Sequence, residues 1–198
     1  NEGRVVGIDS SPQMLENARA ICEGLACVSV TEGAATEIPS DDAQFDGLAA
    51  LQVYEYVEDV SAALEEARRV LKPGCPIAIV SILWEHCRFY GAERELNEKI
   101  NEAWRAHCFH QMLPLELPAL LEKNSFGSLT RTNISFLDTA LHAGTTGYYL
   151  SKLIAKFAIS QGVSEEDAKL WLSQLDDANR EERFGFVNFP VLAVATAI

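Results

Sequence analysis

VVGIDSSPQMLENARA, Val5 to Ala20, is the stretch whose reading decides the fold. Val5, Val6 and Ile8 form a short apolar run flanked by glycines, long enough for a strand covered on both faces and too short for a helix. Asp9 closes the run at the strand's carboxyl end, where open α/β sheets bind their ligands. Ser10 or Ser11 caps the helix that follows, Pro12 suits its first turn, and Met14, Leu15, Ala18 and Ile21 recur at helical spacing. A buried strand that ends in an acid and feeds an amphipathic helix is the second half of a βαβ unit of the nucleotide-binding kind. Asp9 then has two readings: a helix cap, or a group that accepts hydrogen bonds from both hydroxyls of a ribose.

Outward from this stretch, strands and helices alternate. CVSVTEG predicts a strand from Cys27 to Thr31, and a loop runs on through Pro39. FDGLAAL, Phe45 to Leu51, is a further buried strand, and QVYEYVED is a turn that launches a helix from Val60 to Leu71. KPGC stops that helix at Pro73 and Gly74, and PIAIVSILW, Pro76 to Trp84, is a strongly apolar strand. Such alternation predicts a doubly wound, mostly parallel sheet. Beyond Trp84 the pattern shifts to helices over 92–108 and up to about Asn124, then a strand in SLTRTNISFL. Two helices follow, Thr146 to Ser160 and Ser164 to Asn179, the second opened by a capping box of Ser164 and Asp167. FGFVNFPVLAVATA closes the chain as a strand in which Pro190 needs an edge or a bulge. The expected organisation is a partial cofactor-binding core over 1–90, helices and a strand continuing it over 91–144, a helical lid insertion over 145–182 and a final strand over 183–198.

Composition narrows the partners. The chain has 198 residues, 29 acidic against 16 basic, and a net charge of −13. Attraction to nucleic acid or to an anionic membrane is disfavoured at that charge. No apolar run reaches the roughly 18 to 20 residues of a membrane span, and the first residues carry no basic, apolar leader, so the expected location is the cytoplasm. The five cysteines are scattered and form no CxxC pair, which favours reduced thiols. His107 and His110 flank Cys108 without a carboxylate at ligand spacing, so no metal is expected.

Four segments, VVGIDSSPQMLENAR, EGAATEIPSDDAQFDGLAALQVYEYVED, ALEEARRVLKPG and PIAIVSI, together resemble the class I S-adenosylmethionine-dependent methyltransferases of the small-molecule type. Their order and spacing carry the resemblance closely over residues 4 to 82 and loosely beyond. It implies an α/β, Rossmann-like fold with a helical insertion before the last strand, and S-adenosylmethionine as cofactor with S-adenosylhomocysteine as product. By that resemblance Asp9 falls on the ribose-binding acid, Ser10 and Met14 on the adenosine pocket, and Leu51 and Gln52 on the contacts to the methionine part, with Tyr54 beginning the substrate site. Family members usually place an acid in the turn after the third strand. Here Ala34 stands there with Ala35 beside it, and the lost acceptor is worth on the order of 1 kcal/mol of binding.

The family's glycine-rich turn, between its first strand and first helix, has no counterpart in this sequence, which starts at the second strand. In the family's strand order the missing strand is central. A sheet with that hole leaves backbone groups unpaired, each costing roughly 1 to 3 kcal/mol if buried. Three explanations stand: a fragment of a longer chain, a homodimer that completes the sheet, or a glycine-rich half that orders only with cofactor. The reaction expected of the complete protein is in-line methyl transfer to a small, partly apolar acceptor, driven by positioning. His86 and His142 are the candidate bases. Tyr56 and Trp84, with Tyr148 and Tyr149 of the insertion, are the expected acceptor wall. The competing reading is a noncatalytic, dimeric interaction protein on a degenerate methyltransferase fold, and a nicotinamide dehydrogenase fits the later segments poorly.

Overall fold

The apolar runs and the caps between them fold as an α/β protein, described over residues 3–198 of a computed structural model. The chain divides into two compact units. The first comprises Asn1–Ile79, Leu117–Thr130 and Val194–Ile198, and the second Val80–Glu116 and Arg131–Ala193.

In the first unit β1 (Val5–Asp9) leads into α1 (Pro12–Ile21) and β2 (Val28–Glu32). β1 and β2 run parallel, in register from Val5 opposite Val28 to Asp9 opposite Glu32. Leu15 is the buried residue by which α1 closes its apolar stripe. β3 (Leu48–Leu51) is shorter than the run from Phe45 suggests. Phe45 is instead drawn into a separate bridge to Leu71, its N–H donating to Val70 O at 2.9 Å. α2 (Val60–Val70) buries Val60, Ala63, Leu64, Ala67 and Val70, the repeat expected of a helix with one covered face. Asp59 caps it by accepting from Ala62 N–H at 2.9 Å. Gly74 then turns the chain at φ +80°, a conformation that favours glycine, before β4 (Pro76–Ile82).

Among the described residues the strands form three sheets: β1-β2, β3-β4-β9-β6 and β5-β8-β7. Here β6 is Phe126–Asn133 and β9 is Pro190–Ala197, so Pro190 opens its strand, a position where the missing N–H is tolerated. Among the described residues β1 pairs with β2 alone, and no ladder joins β1 to β3.

The second unit holds α3 (Arg94–Trp104), α5 (Thr146–Ser160) and α6 (Glu165–Arg180) around an aromatic core that includes Phe89, Trp104, Trp171 and Phe186. α4 (Leu113–Lys123) follows α3 in the chain. The unit's sheet is antiparallel: β5 (Arg88–Tyr90) and β7 (Phe136–Asp138) flank β8 (Gly185–Asn188). Periodicity gave no sign of β5, a three-residue strand beginning on an arginine. The single closing strand divides at Phe189 into β8 and β9. Gly91, at φ +123°, lets α6 pass so closely that an added Cβ would lie 2.4 Å from Ala178 Cβ.

Candidate functional site

The carboxyl ends of β1, β2 and β3 open on a cavity of about 900 Å³ in the first unit, within the size range of small-molecule sites. Asp9 and Ser10 form one wall. Asp9 Oδ1 accepts from Ser11 N–H at 2.8 Å, and Ser11 Oγ accepts from Met14 N–H at 3.4 Å as the N-cap of α1. Ser11, not Asp9, therefore caps the helix, and the Asp9 carboxylate is held in a turn at the exposed mouth of the cavity.

The second wall is the turn after β2. Gly33 N–H donates to Asp9 O at 3.1 Å, and Glu37 N–H donates to Ala34 O at 3.0 Å, which folds Ala34 and Ala35 over the cavity. Gly33 sits against Pro39, whose Cδ lies 2.6 Å from where a Cβ would stand. The loop beyond is latched by Arg69 of α2. Its guanidinium donates to Ile38 O at 2.9 Å and Ser40 O at 2.8 Å, and pairs with Asp42 at 2.8 Å. It also meets Glu66 through two bonds of 2.8 Å, while Glu66 Oε2 accepts from Ile38 N–H at 2.9 Å. These bonds hold the Glu66 carboxyl below its usual range, the Arg69 hydrogen bond first among them.

The third wall follows β3. Gln52 has φ +53°, in the left-handed region, and starts a sharp reversal into a single 3₁₀ turn, Tyr54–Tyr56. Tyr54 is 3% exposed, and burial pushes its phenol above the ordinary value. Tyr56 is half-exposed and reaches the cavity with Val53.

Of the residues expected at the cofactor site, Asp9, Ser10, Ala34, Ala35 and Gln52 thus converge on one cavity with Tyr54 and Tyr56. Met14 and Leu51 are exposed and lie outside its lining. The remaining candidates belong to the second unit. Trp84 is buried, edge-on to Trp104 and His107. Lys152 lies 3.6 Å over the Tyr148 ring, and Tyr149 faces solvent. His86 is exposed and edge-on to Phe189, and His142 is exposed with Nδ1 3.0 Å from Ala143 O.

The Arg69 latch had no place in the sequence reading. Glu66 and Arg69 stand at helical spacing in ALEEARRVL, but their loop partners are separated from them by about thirty residues. Among the described residues no group of histidine, cysteine and carboxylate side chains could hold a metal ion. No helix is long and apolar enough to cross a membrane.

Residues 1–79 match the family model described as a methyltransferase domain. The chain is 41% identical over 83 residues to an uncharacterized 37.1 kDa protein in transposon TN4556 of Streptomyces fradiae, a match covering 42% of this chain and 24% of that protein. It is 36% identical over 74 residues to a demethylmenaquinone methyltransferase of Staphylococcus epidermidis, covering 37% and 31% respectively. The matches thus span about a quarter to a third of the length of these curated relatives. In fold, 98% of the chain superposes on 82% of a putative methyltransferase from Bacillus halodurans, with a TM-score of 0.60 at 17% identity.

Proposed function

From the premise that residues 1–79 carry a methyltransferase domain on a class I, Rossmann-like fold, we propose that the first unit binds S-adenosylmethionine and serves methyl transfer to a small, partly apolar acceptor. The observation that carries this reading is the convergence of Asp9, the Ala34–Ala35 turn and the Gln52–Tyr56 reversal on one cavity. Three chain segments far apart in sequence meet there, each contributing a different kind of contact.

The fit is chemical as well as spatial. Asp9 accepts from the ribose hydroxyls. The small side chains of Ala34 and Ala35 leave room for a flat ring, with backbone groups in reach of its edge. Ser10 flanks the adenosine, and Gln52 the methionine part, whereas Met14 and Leu51 lie outside the lining. Held by Asp9, Ser10 and the Ala34–Ala35 turn, the cofactor would supply an electrophilic methyl carbon and a sulfur able to keep the electrons of the carbon–sulfur bond that breaks as the acceptor's lone pair bonds to carbon. The chain's own residues orient the acceptor and exclude water, which is where most of the acceleration in such a displacement arises. Tyr54 and Tyr56 begin the acceptor side, and an acceptor of the partly apolar kind suits the Tyr56 and Val53 side chains. Trp84, His86, His142, Tyr148 and Tyr149 belong to the second unit and take no part in this proposal.

These 198 residues are read as one part of the polypeptide that acts, which agrees with the share of the relatives' length that they match. The rival reading, a noncatalytic dimeric module, draws on Ala34 standing where the family carries an acid. Thermal unfolding of the full reading-frame product with S-adenosylhomocysteine, a nicotinamide dinucleotide or ATP separates the readings. At a hundred times its Kd, S-adenosylhomocysteine adds about 2.7 kcal/mol, which raises Tm by roughly 5 to 10 °C. No shift, or an equal shift with the dinucleotide, overturns the proposal.

A further inference from the structure

The second unit carries a small polar pocket of its own, between the 3₁₀ turn Trp84–His86 and α3. Its volume is about 210 Å³, room for one small organic molecule. Trp84 and Trp104 line it and are only 5% and 8% exposed. An indole has one N–H and no acceptor, and neither of these two N–H groups meets a hydrogen-bond partner among the described residues. Trp171, in the same unit, differs: its indole donates to Asn97 Oδ1 at 2.9 Å. Buried donors left unmatched by the chain are rare in native proteins and point to a partner from outside it.

α3 supplies the pocket's charge. Glu98, Asn101, Glu102 and Arg105 recur at i, i+3, i+4 and i+7, one face of the helix carried on into the turn Arg105–His107. Much of that charge is already engaged. Arg105 donates to Glu85 Oε1 at 2.5 Å, and Arg94 donates to Glu98 Oε1 at 2.8 Å. Glu102 is held loosely, 3.9 Å from Arg105 Nε. Arg88 also lines the pocket and donates to Cys87 O at 2.9 Å, which uses one of its N–H groups and leaves the others. The Cys87 thiol is occupied by Asn188 Oδ1 at 3.0 Å. The walls are tied to each other, since Trp84 N–H donates to Gln111 O at 2.8 Å and Gln111 Nε2 to Arg105 O at 2.7 Å.

We infer that this pocket binds a free α-amino acid with a short side chain. Its carboxylate accepts from the two indole N–H groups and from Arg88, and its ammonium pairs with Glu102. A simple anion suits the donors but is repelled by a chain of net charge −13, whereas a zwitterion carries no net charge. A simple cation leaves the indole donors unmet. The pocket lies wholly within the second unit, and the inference does not depend on the methyl-transfer reading of the first.

Nuclear magnetic resonance of the indole N–H signals tests it, on the full reading-frame product isotope-labelled at tryptophan, with the signals assigned through Trp84→Phe and Trp104→Phe. Glycine and alanine are the probes, and acetate and methylammonium stand for the two halves of the ligand. The amino acids should move the Trp84 and Trp104 signals saturably and leave that of Trp171 in place. Acetate and methylammonium should each bind at least about 10-fold more weakly. Arg88→Gln should weaken alanine and acetate alike, on the order of 10-fold, and Glu102→Gln should weaken alanine and leave acetate unchanged. Both side chains are exposed, so the unfolding midpoints of these variants should match the parent's. No saturable movement with either amino acid overturns the inference and leaves ordered water as the indoles' partner. Acetate binding as tightly as alanine overturns it too, as does equal movement of Trp171 or alanine binding that ignores both substitutions.

Discussion

Asp9 does two things with one carboxylate: it orders the turn before α1 through Ser11 N–H and presents acceptors at the cavity mouth. Asp9→Ala should weaken S-adenosylhomocysteine binding by about 10- to 100-fold, the worth of hydrogen bonds to a charged group at roughly 1.5 to 3 kcal/mol. Its unfolding midpoint should stay close to that of the parent, because only one exposed turn bond is lost. Equal affinity in the two proteins would remove Asp9 from the site. Gly33 makes the converse case, a residue whose importance is steric. Gly33→Ala forces a Cβ against the Pro39 ring and should cost about 1 to 3 kcal/mol in denaturant unfolding. Pro39→Ala added to it should recover most of that loss, and a purely additive pair would mean that the contact does not matter. The acid was legible in the sequence because its place at a strand end has chemical meaning. The glycine was not, because its partner lies six residues away across a turn whose path no local pattern specifies.

His107 is an acid-sensitive residue of the second unit's core. It stacks on Trp104 at 3.9 Å, lies edge-on to Trp84 and donates from Nδ1 to Trp104 O at 2.7 Å. Burial pushes its imidazole down to about 4. A histidine with a depressed native value is neutral when folded and protonates first when unfolded. Stability should therefore fall as pH drops from about 6.5 toward 4, with no loss from this group above that window. The three tryptophans, Trp84, Trp104 and Trp171, all lie in the second unit, so their fluorescence in denaturant titrations at successive pH values reports on it. His107→Leu should flatten the fall, and an unchanged slope would contradict this account.

At the level of elements, helices with a covered face and a cap were the readable part. α2, α5 and α6 follow the spacing of their apolar residues, and Ser164 caps α6 by accepting from Asp167 N–H at 3.0 Å. The Asp167 carboxylate also serves Lys99 of α3 at 2.6 Å, a contact beyond the reach of a local motif. β5, and the breaks that set β7 apart from β6 and β8 apart from β9, were obscure because β5 and β7 are only three residues long and the antiparallel pairing with β8 joins segments nearly fifty to a hundred residues apart. The Arg69 latch belongs to the same class of long-range feature. Arg69→Lys keeps the charge but loses the planar fork that serves Glu66 and the loop carbonyls together. It should speed amide exchange at Ile38, whose N–H bonds Glu66, and weaken S-adenosylhomocysteine binding several-fold by loosening the wall around Ala34 and Ala35. Unaltered exchange at Ile38 would show that the loop holds its shape without the latch.

For the whole molecule, the order of apolar strands and capped helices was enough to reach an α/β fold, the resemblance of four segments implied the Rossmann-like class, and the superposition on solved structures agrees. Strand alternation specifies which elements exist, while pairing depends on edges that meet only after folding. Among the described residues β1 pairs with β2 alone, and no ladder joins it to β3. The division into two units was not legible, since each is assembled from segments that are discontinuous in sequence. The cavity lined by Asp9, Ala34, Ala35 and Gln52, by contrast, lies wholly within the first unit. Calorimetric titration of S-adenosylhomocysteine into the product of the full reading frame, with Asp9→Ala beside it, tests the central claim most directly. Saturable binding of one molecule per chain, weakened at least about 10-fold by the substitution, is the expected result. No heat of binding, or binding that ignores Asp9, would contradict it.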